Sequence, residues 1–280
     1  MSAILFGLLA ALGWGGADFT GGLASRRMGA LRAVLFSELA GFVLLLAALS
    51  IYRDPFLSPR SLLSAFSAGA IGTLGLLTLY QAMTTGKMSI AAPVSALLAA
   101  ALPVLYNSLT EGLPKLTQLV GFALALASIW LVTQAEGETH PHLEHLSDLR
   151  LPFLSGIGFG VYFILMHRVA QEATLWPMVA SRSGGMLLLG LALLVVQRQP
   201  LRIERADWRI VAFSGALDVT GNLFFILASQ SGRVDLAAVL SSLFPGVTVL
   251  LAWLVLKEQL SNSQRLGILV SLLAIGLMTI

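Results

Sequence analysis

Apolar runs of about twenty residues recur ten times along the chain, each closed by a short polar cluster. They cover residues 3–24, 32–52, 62–84, 88–109, 115–134, 152–171, 175–197, 208–230, 236–256 and 263–280. A hydrocarbon layer about 30 Å thick is crossed by about 20 residues of helix, so each run predicts a transmembrane helix. Backbone amides find no partner in lipid, which leaves the internally bonded helix as the conformation for runs of this length. None of the runs alternates with the two-residue period of a barrel strand. The predicted fold class is an all-α polytopic membrane protein of ten transmembrane helices.

The punctuation agrees with this division. Asp54-Pro55 and Ser58-Pro59 interrupt the chain between the second and third runs. Trp176-Pro177 opens the seventh, where proline is tolerated in a first turn. Ser261 with Gln264 has the capping-box spacing ahead of the last run. Tyr52, Trp130, Trp176 and Trp208 stand near run ends, as an interfacial aromatic belt requires. The first run does not read as a cleavable signal peptide, because no basic segment precedes it and Asp18 interrupts it.

Composition narrows the function classes. Of 280 residues, 57% are hydrophobic and 11% charged, against about 25% charged in an ordinary soluble domain. That excludes a soluble enzyme, a disordered chain and a nucleic-acid binder. The formal net charge of +3 reflects loop cations, which orient a polytopic protein rather than bind an acidic partner. Most of them, including Arg26, Arg27, Arg32, Arg198, Arg202, Arg205 and Arg209, fall in odd-numbered loops. That distribution places the odd loops in the cytoplasm and both termini outside. The absence of cysteine excludes disulfides, thiolate metal centres and cysteine nucleophiles. The expected partners are the lipid bilayer and a small-molecule substrate. No cofactor, metal or nucleic acid is expected, and a monomer is the default.

The chain also repeats itself. Gly69-Ala70, Gly75, Ala82 and Gly86 recur 146 positions later as Gly215-Ala216, Gly221, Ala228 and Gly232. Ala91-Ala92 and Ser95 match Ala237-Ala238 and Ser241, and Leu12-Gly13-Trp14-Gly15 faces Ile157-Gly158-Phe159-Gly160. The division is a first five-helix repeat at 1–135, a polar linker at 136–151 and a second five-helix repeat at 152–280. Five spans per repeat turn the second upside down relative to the first, a plan that secondary transporters use with substrate bound between the repeats.

Gly13-Trp14-Gly15, Tyr80-Gln81-Ala82 before Gly86, Ala91-Ala92-Pro93, Pro103 and Glu111-Gly112-Leu113 carry a family resemblance, repeated in part as Pro245 and Glu258-Gln259-Leu260. With Arg182 in the seventh helix, the chain resembles the EamA-type proteins of the drug/metabolite transporter superfamily. The resemblance implies ten helices around a cavity lined by the first, third, fourth, sixth, eighth and ninth, with cytoplasmic termini. It implies transport of a metabolite such as an amino acid, a nucleoside or a drug. Ser37 and Glu38 stand where many such proteins carry arginine, and Asp18 and Asp218 are acids the pattern does not call for.

Asp18, Glu38, Arg182 and Asp218 are the ionisable residues within spans. Each costs at least about 2.5–3.5 kcal/mol at mid-membrane, so each is expected to face a cavity or a partner. At 1.5 Å per residue, Asp218 and Arg182 differ in level by about one helical turn, which allows an ion pair. Asn222 shares the Asp218 face. Asp18 and Glu38 are level and can share a proton, or Glu38 can reach Arg26, Arg27 or Arg32. Trp14, one turn from Asp18, offers a ring face to a cation. Tyr80, Tyr162 and Asn222 fall on helices that the resemblance assigns to the cavity. Candidate substrate contacts are therefore Trp14, Asp18, Tyr80, Tyr162, Asp218 and Asn222. Asp218, Arg182, Asp18 and Glu38 are candidates for proton coupling or ion pairing. His140, His142 and His145, with Glu136, Glu138 and Glu144, read as a solvated linker.

The function expected is a secondary transporter, exporting or exchanging a small metabolite such as an amino acid by alternating access, with possible proton coupling. The expected location is the cell (inner) membrane. No phosphate-binding loop is present to couple nucleotide hydrolysis. An intramembrane aspartyl hydrolase using Asp18 and Asp218 is the alternative, opposed by an estimated difference of about 6 Å in their levels. A channel is the third reading, and no selectivity-filter segment supports it.

Overall fold

Each of the ten apolar runs contains a helix in the computed structural model, which describes residues 2–85, 88–132, 150–196, 203–204, 207–257 and 260–279. The side chains of 26, 30, 79–85, 88–94, 132, 195, 196 and 279 lie outside that description. The helices are α1 (Ser2–Met28), α2 (Ala30–Ile51), α3 (Pro59–Thr85), α4 (Met88–Thr110), α5 (Leu116–Val132), α6 (Arg150–Ala170), α7 (Leu175–Val196), α8 (Trp208–Gln230), α9 (Val234–Ser241), α10 (Phe244–Leu251) and α11 (Asn262–Thr279). Among the described residues, seven stretches are long and apolar enough to cross a membrane, and Ser95–Thr110, Leu116–Leu131 and Asn262–Met278 are shorter apolar helices. Large apolar side chains such as Val43, Ile51, Leu109 and Leu194 point outward, as lipid-facing residues do. The fold is an all-α polytopic membrane architecture.

The ninth crossing departs from the single helix expected. It breaks at Ser242–Leu243 into α9 and α10. Pro245 has no N–H to donate to the Ser241 carbonyl, and its ring crowds that carbonyl. The chain tightens there, with Leu243 N donating to Leu240 O at 3.2 Å and Gly246 N to Leu243 O at 3.0 Å. A π-helical turn, Ala252–Leu256, ends the crossing at Lys257, a non-glycine residue with φ of 56°. The expected capping box forms: Ser261 N donates to Gln264 Oε1 at 2.9 Å, and Gln264 N to Ser261 Oγ at 3.1 Å.

The closest packing runs between the halves of the chain rather than within them. α1 lies on α8 as α6 lies on α3, α2 lies on α8 as α7 lies on α3, and α9 and α10 meet α1 as α4 meets α6. Each of these pairings has a counterpart with the halves exchanged. Two bundles result, one of α1, α2, α8, α9 and α10, the other of α3, α4, α6 and α7. They meet along a seam where α2 touches α7, α4 touches α9 and α6 touches α8, while α5 and α11 pack on each other outside.

Small residues set these crossings, because van der Waals contact rather than hydrophobic burial holds helices together in lipid. A Cβ on Gly13 would lie 2.6 Å from Gly221 N, and one on Gly158 would lie 3.1 Å from Gly75 Cα. A Cβ on Gly69 would lie 1.7 Å from the Ser181 carbonyl oxygen, and one on Gly215 would lie 2.3 Å from that of Ser37. The glycines legible as a sequence repeat are thus the close-approach points.

Two acidic residues in even-numbered loops cap each other's neighbouring helices. Asp54 accepts from the N–H groups of Thr174 (3.2 Å), Leu175 (2.7 Å) and Trp176 (3.0 Å) at the start of α7. Glu172 accepts from the Ser61 hydroxyl and from Ser58 N at 3.2 Å at the start of α3. Each carboxylate meets the unsatisfied amides and positive end of a helix. The Ser61 hydroxyl first, and Ser58 second, hold the Glu172 carboxyl below its ordinary range.

Two predictions follow from the packing and the caps. Gly69→Ala should destabilise by about 1–3 kcal/mol through overpacking, whereas Gly246→Ala, with nothing within 4 Å of its Cβ position, should not. Thermal unfolding in detergent compares them. For Glu172, a folded value depressed below the unfolded one gives stability that is present above the unfolded carboxyl's range and lost as pH falls through the folded value. Wild type should therefore lose more stability on acidification below about pH 4.5 than Glu172→Gln, read as the shift in unfolding temperature with pH.

Candidate functional site

At the middle of the seam a single guanidinium joins two helices of the opposite bundle. Arg182 of α7 gives Nη1 to Glu38 Oε2 of α2 at 2.7 Å, and Nη2 to Asp218 Oδ2 of α8. Gly41 makes room for it, since a Cβ there would lie 2.9 Å from Arg182 Cζ. Asn222, one turn along α8, donates to Asp218 O at 2.8 Å and Asp218 Oδ2 at 3.1 Å. Tyr162 of α6 donates its hydroxyl to Asn222 Oδ1 at 2.6 Å. The chain Glu38–Arg182–Asp218–Asn222–Tyr162 crosses the seam three times. The Arg182 side chain is 7% exposed and that of Asp218 is 32% exposed, so the carboxylate is the end that reaches accessible space.

Asp18 of α1 is exposed and lies close enough for the Asp218 charge to act on it. It has no ion-pair partner among the described residues. Glu38 turns to Arg182 rather than to Asp18 or to the loop arginines, and Arg27 lies instead 3.4 Å from Asp207. Two carboxylates thus flank the guanidinium, and Asp18 stands within electrostatic reach of one of them, Asp218.

Trp14 serves packing first. Its ring lies on the backbone of Gly221, where a Cβ would meet Trp14 Cδ1 at 2.5 Å. It stacks on Phe163 across the seam at 5.5 Å between centroids and meets Phe225 at 5.7 Å and Phe244 at 6.5 Å. Phe163 and Phe225 are themselves 4.9 Å apart. These rings fill the seam beside the polar centre. Phe159, the repeat equivalent of Trp14, lies on Gly75 in the same way.

The Tyr80 side chain and residues 136–145, with His140, His142 and His145, lie outside the described residues. Among the other polar residues of the spans, Ser95 and Ser155 bond each other at 2.8 Å between α4 and α6, which is helix packing. Sequence reasoning missed the partner of Glu38. The signal was present: Ser37, Glu38 and Gly41 stand at the same spacing as Ser181, Arg182 and Gly185. Glu38 and Arg182 are thus equivalent positions of the two halves, and they meet where α2 meets α7.

A bundle of helices this long and apolar is the architecture of an integral membrane protein. The model of the EamA-like transporter family matches residues 1–134 and 149–280, and the chain belongs to that family. It is therefore a membrane transporter protein of the drug/metabolite superfamily. An uncharacterized protein of Methanocaldococcus jannaschii, MJ1333.1, is 28% identical over 133 residues, which are 46% of this chain and 94% of that relative. A solved crystal structure superposes with a TM-score of 0.82 over 100% of this chain and 99% of its own, at 19% identity, and shares the fold.

Removing the guanidinium should cost far more than removing one neutral bond. Arg182→Gln leaves Glu38 and Asp218 without their cation and should destabilise by about 3–5 kcal/mol. Tyr162→Phe loses one interhelical hydrogen bond and should cost about 0.6 kcal/mol. Equilibrium unfolding in mixed micelles measures both. An equal cost would show that Arg182 does not hold the centre together.

Proposed function

We propose that the protein is a secondary transporter that exports or exchanges a small amine-bearing metabolite, such as an amino acid, by alternating access. The observation that carries the substrate class is the charge ratio at the seam. Two carboxylates share one guanidinium, and a third, Asp18, within electrostatic reach of Asp218 and without a cation partner among the described residues, is exposed. An excess of carboxylate inside a membrane calls for a compensating cation, which a substrate ammonium or a coupling proton supplies. Asp18 and the accessible oxygen of Asp218 bind that cation. Arg182 is positioned to meet a substrate carboxylate when it releases one of its own partners.

Inverted repeats support this reading. The exchange-symmetric packing, the family match in two segments and a relative about as long as one half all accord with a duplicated five-helix unit. The moving parts we propose are the two cross-half bundles rather than the repeats themselves, because the centre lies between the bundles. The chain acts as a monomer in the cell membrane, since its own ten crossings enclose the site. An aspartyl hydrolase needs two carboxylates free to share a proton. Here Asp218 is held by Arg182 and Asn222, which disfavours that chemistry.

Counterflow in proteoliposomes tests the proposal, with amino acids, nucleosides and organic cations as the panel and with and without a pH gradient. Wild type should exchange an amine-bearing member saturably. Asp218→Asn should lose gradient-driven accumulation, and Asp18→Asn should raise KM for the amine. Exchange confined to anionic or neutral members without an amine would contradict the substrate class. Non-saturating flux would indicate a channel.

A further inference from the structure

We infer that Gln171 and Gln230 form the gate that closes the seam on the face of the even-numbered loops. The inference rests on the alternating-access reading above and adds the residues that decide which face is closed.

Among the described residues, bonds cross between the bundles at mid-depth and at the even-loop face. At mid-depth stand Arg182–Glu38, Arg182–Asp218 and Tyr162–Asn222. From there to the even-loop face the rings of Trp14 and Phe225 on one bundle meet Phe163 of the other. At the face itself the ends of α6 and α8 are laced together. Gln171 Nε2 donates to the Ser229 carbonyl at 3.1 Å, and Gln230 Nε2 donates to the Ala170 carbonyl at 2.7 Å and to Thr174 Oγ1 at 3.2 Å. Arg233, just beyond α8, donates to the Gly112 carbonyl after α4 at 2.9 Å. Each glutamine reaches from the end of its own helix to a carbonyl near the end of the other, so the lacing is reciprocal.

The Ser229 and Ala170 acceptors are carbonyls of a helix's last turn, which have no partner within the helix. Water satisfies them equally well once the helices part, so each bond is cheap to exchange for a hydrated one. The permanent contacts of this fold are of another kind, glycine against backbone, as at Gly13 with Gly221 and Gly75 with Gly158, and they lie within one bundle. The seam is thus joined at this end by exchangeable bonds between helices that glycines do not lock together. On the other side of the aromatic rings, Asp18 is exposed one turn beyond Trp14 toward the odd-numbered loops.

Crosslinking tests the assignment, helped by a chain that contains no cysteine. Thr174→Cys and Gln230→Cys are introduced together with a reporter, Thr20→Cys, on the Asp18 side of Trp14. The purified protein is reconstituted, and a short bifunctional thiol reagent joins positions 174 and 230. Labelling of position 20 by a membrane-impermeant thiol reagent, read peptide by peptide, reports how often the odd-loop face is open. Crosslinking should raise the labelling rate, and it should abolish exchange of any substrate found by counterflow. A raised labelling rate supports the gate whether or not a substrate is exchanged, so a failed substrate assignment does not decide the result. Unchanged labelling after complete crosslinking would overturn the inference, because the lacing would then be a permanent staple.

Discussion

A guanidinium placed in the middle of a membrane must be satisfied by the protein, and the rest of this architecture answers to that constraint. Arg182 is nearly inaccessible and has two carboxylates, one on each of two helices of the opposite bundle. Leaving any of these three groups alone in a low-dielectric interior costs several kcal/mol. The pair with Glu38 therefore fixes α2 against α7, and the pair with Asp218 fixes α7 against α8. Asp218 then orders Asn222, and Asn222 orders Tyr162. Ionic satisfaction and helix placement are the same requirement.

That requirement falls where the two halves of the chain meet on equivalent residues. Glu38 and Arg182 occupy the same position of the repeat, and so do Gly69 and Gly215, and Gly75 and Gly221. Where glycine stands in both halves the crossing is the same twice over. Where the halves differ, an acid faces a base. The eighth helix adds Asp218, whose counterpart in the third is Gly72, against which the Tyr162 ring packs. Duplication thus supplies the frame, and its local failures supply the chemistry. In the family to which the chain belongs, the frame carries transport, and the charge ratio at the seam narrows what this frame is suited to carry.

The frame was legible in the sequence because lipid leaves few options. Twenty apolar residues make a helix, and the repeated glycines marked faces of close packing without naming the helices they meet. The centre was half legible. Asp218, Arg182 and Asn222 follow from level and helix face alone, since rise per residue is fixed. Glu38 did not, because its level suggests Asp18 and its nearest cations in sequence are in the adjoining loop. Rotation about the helix axis decided the matter, and an apolar helix with a weak polar face does not announce its rotation. The break at Ser242–Leu243 has its cause written at Pro245, yet Pro93 and Pro103 leave α4 helical throughout, so proline alone does not tell a kink from an interruption. The reciprocal glutamines were invisible, being ordinary polar residues at span ends until α6 and α8 are set side by side.

The central claim is that the moving units are the cross-half bundles, joined at Arg182, and not the halves. Spin labels at three exposed positions on the even-loop face test it: Ser2 on α1, Arg60 on α3 and Ser231 after α8. Ser2 and Ser231 belong to different halves and one bundle, whereas Ser2 and Arg60 belong to one half and different bundles. Dipolar distance measurements in lipid should give one separation for Ser2 with Ser231 and two for Ser2 with Arg60, with the populations shifted by Arg182→Gln. Two separations for Ser2 with Ser231 and one for Ser2 with Arg60 would contradict the account.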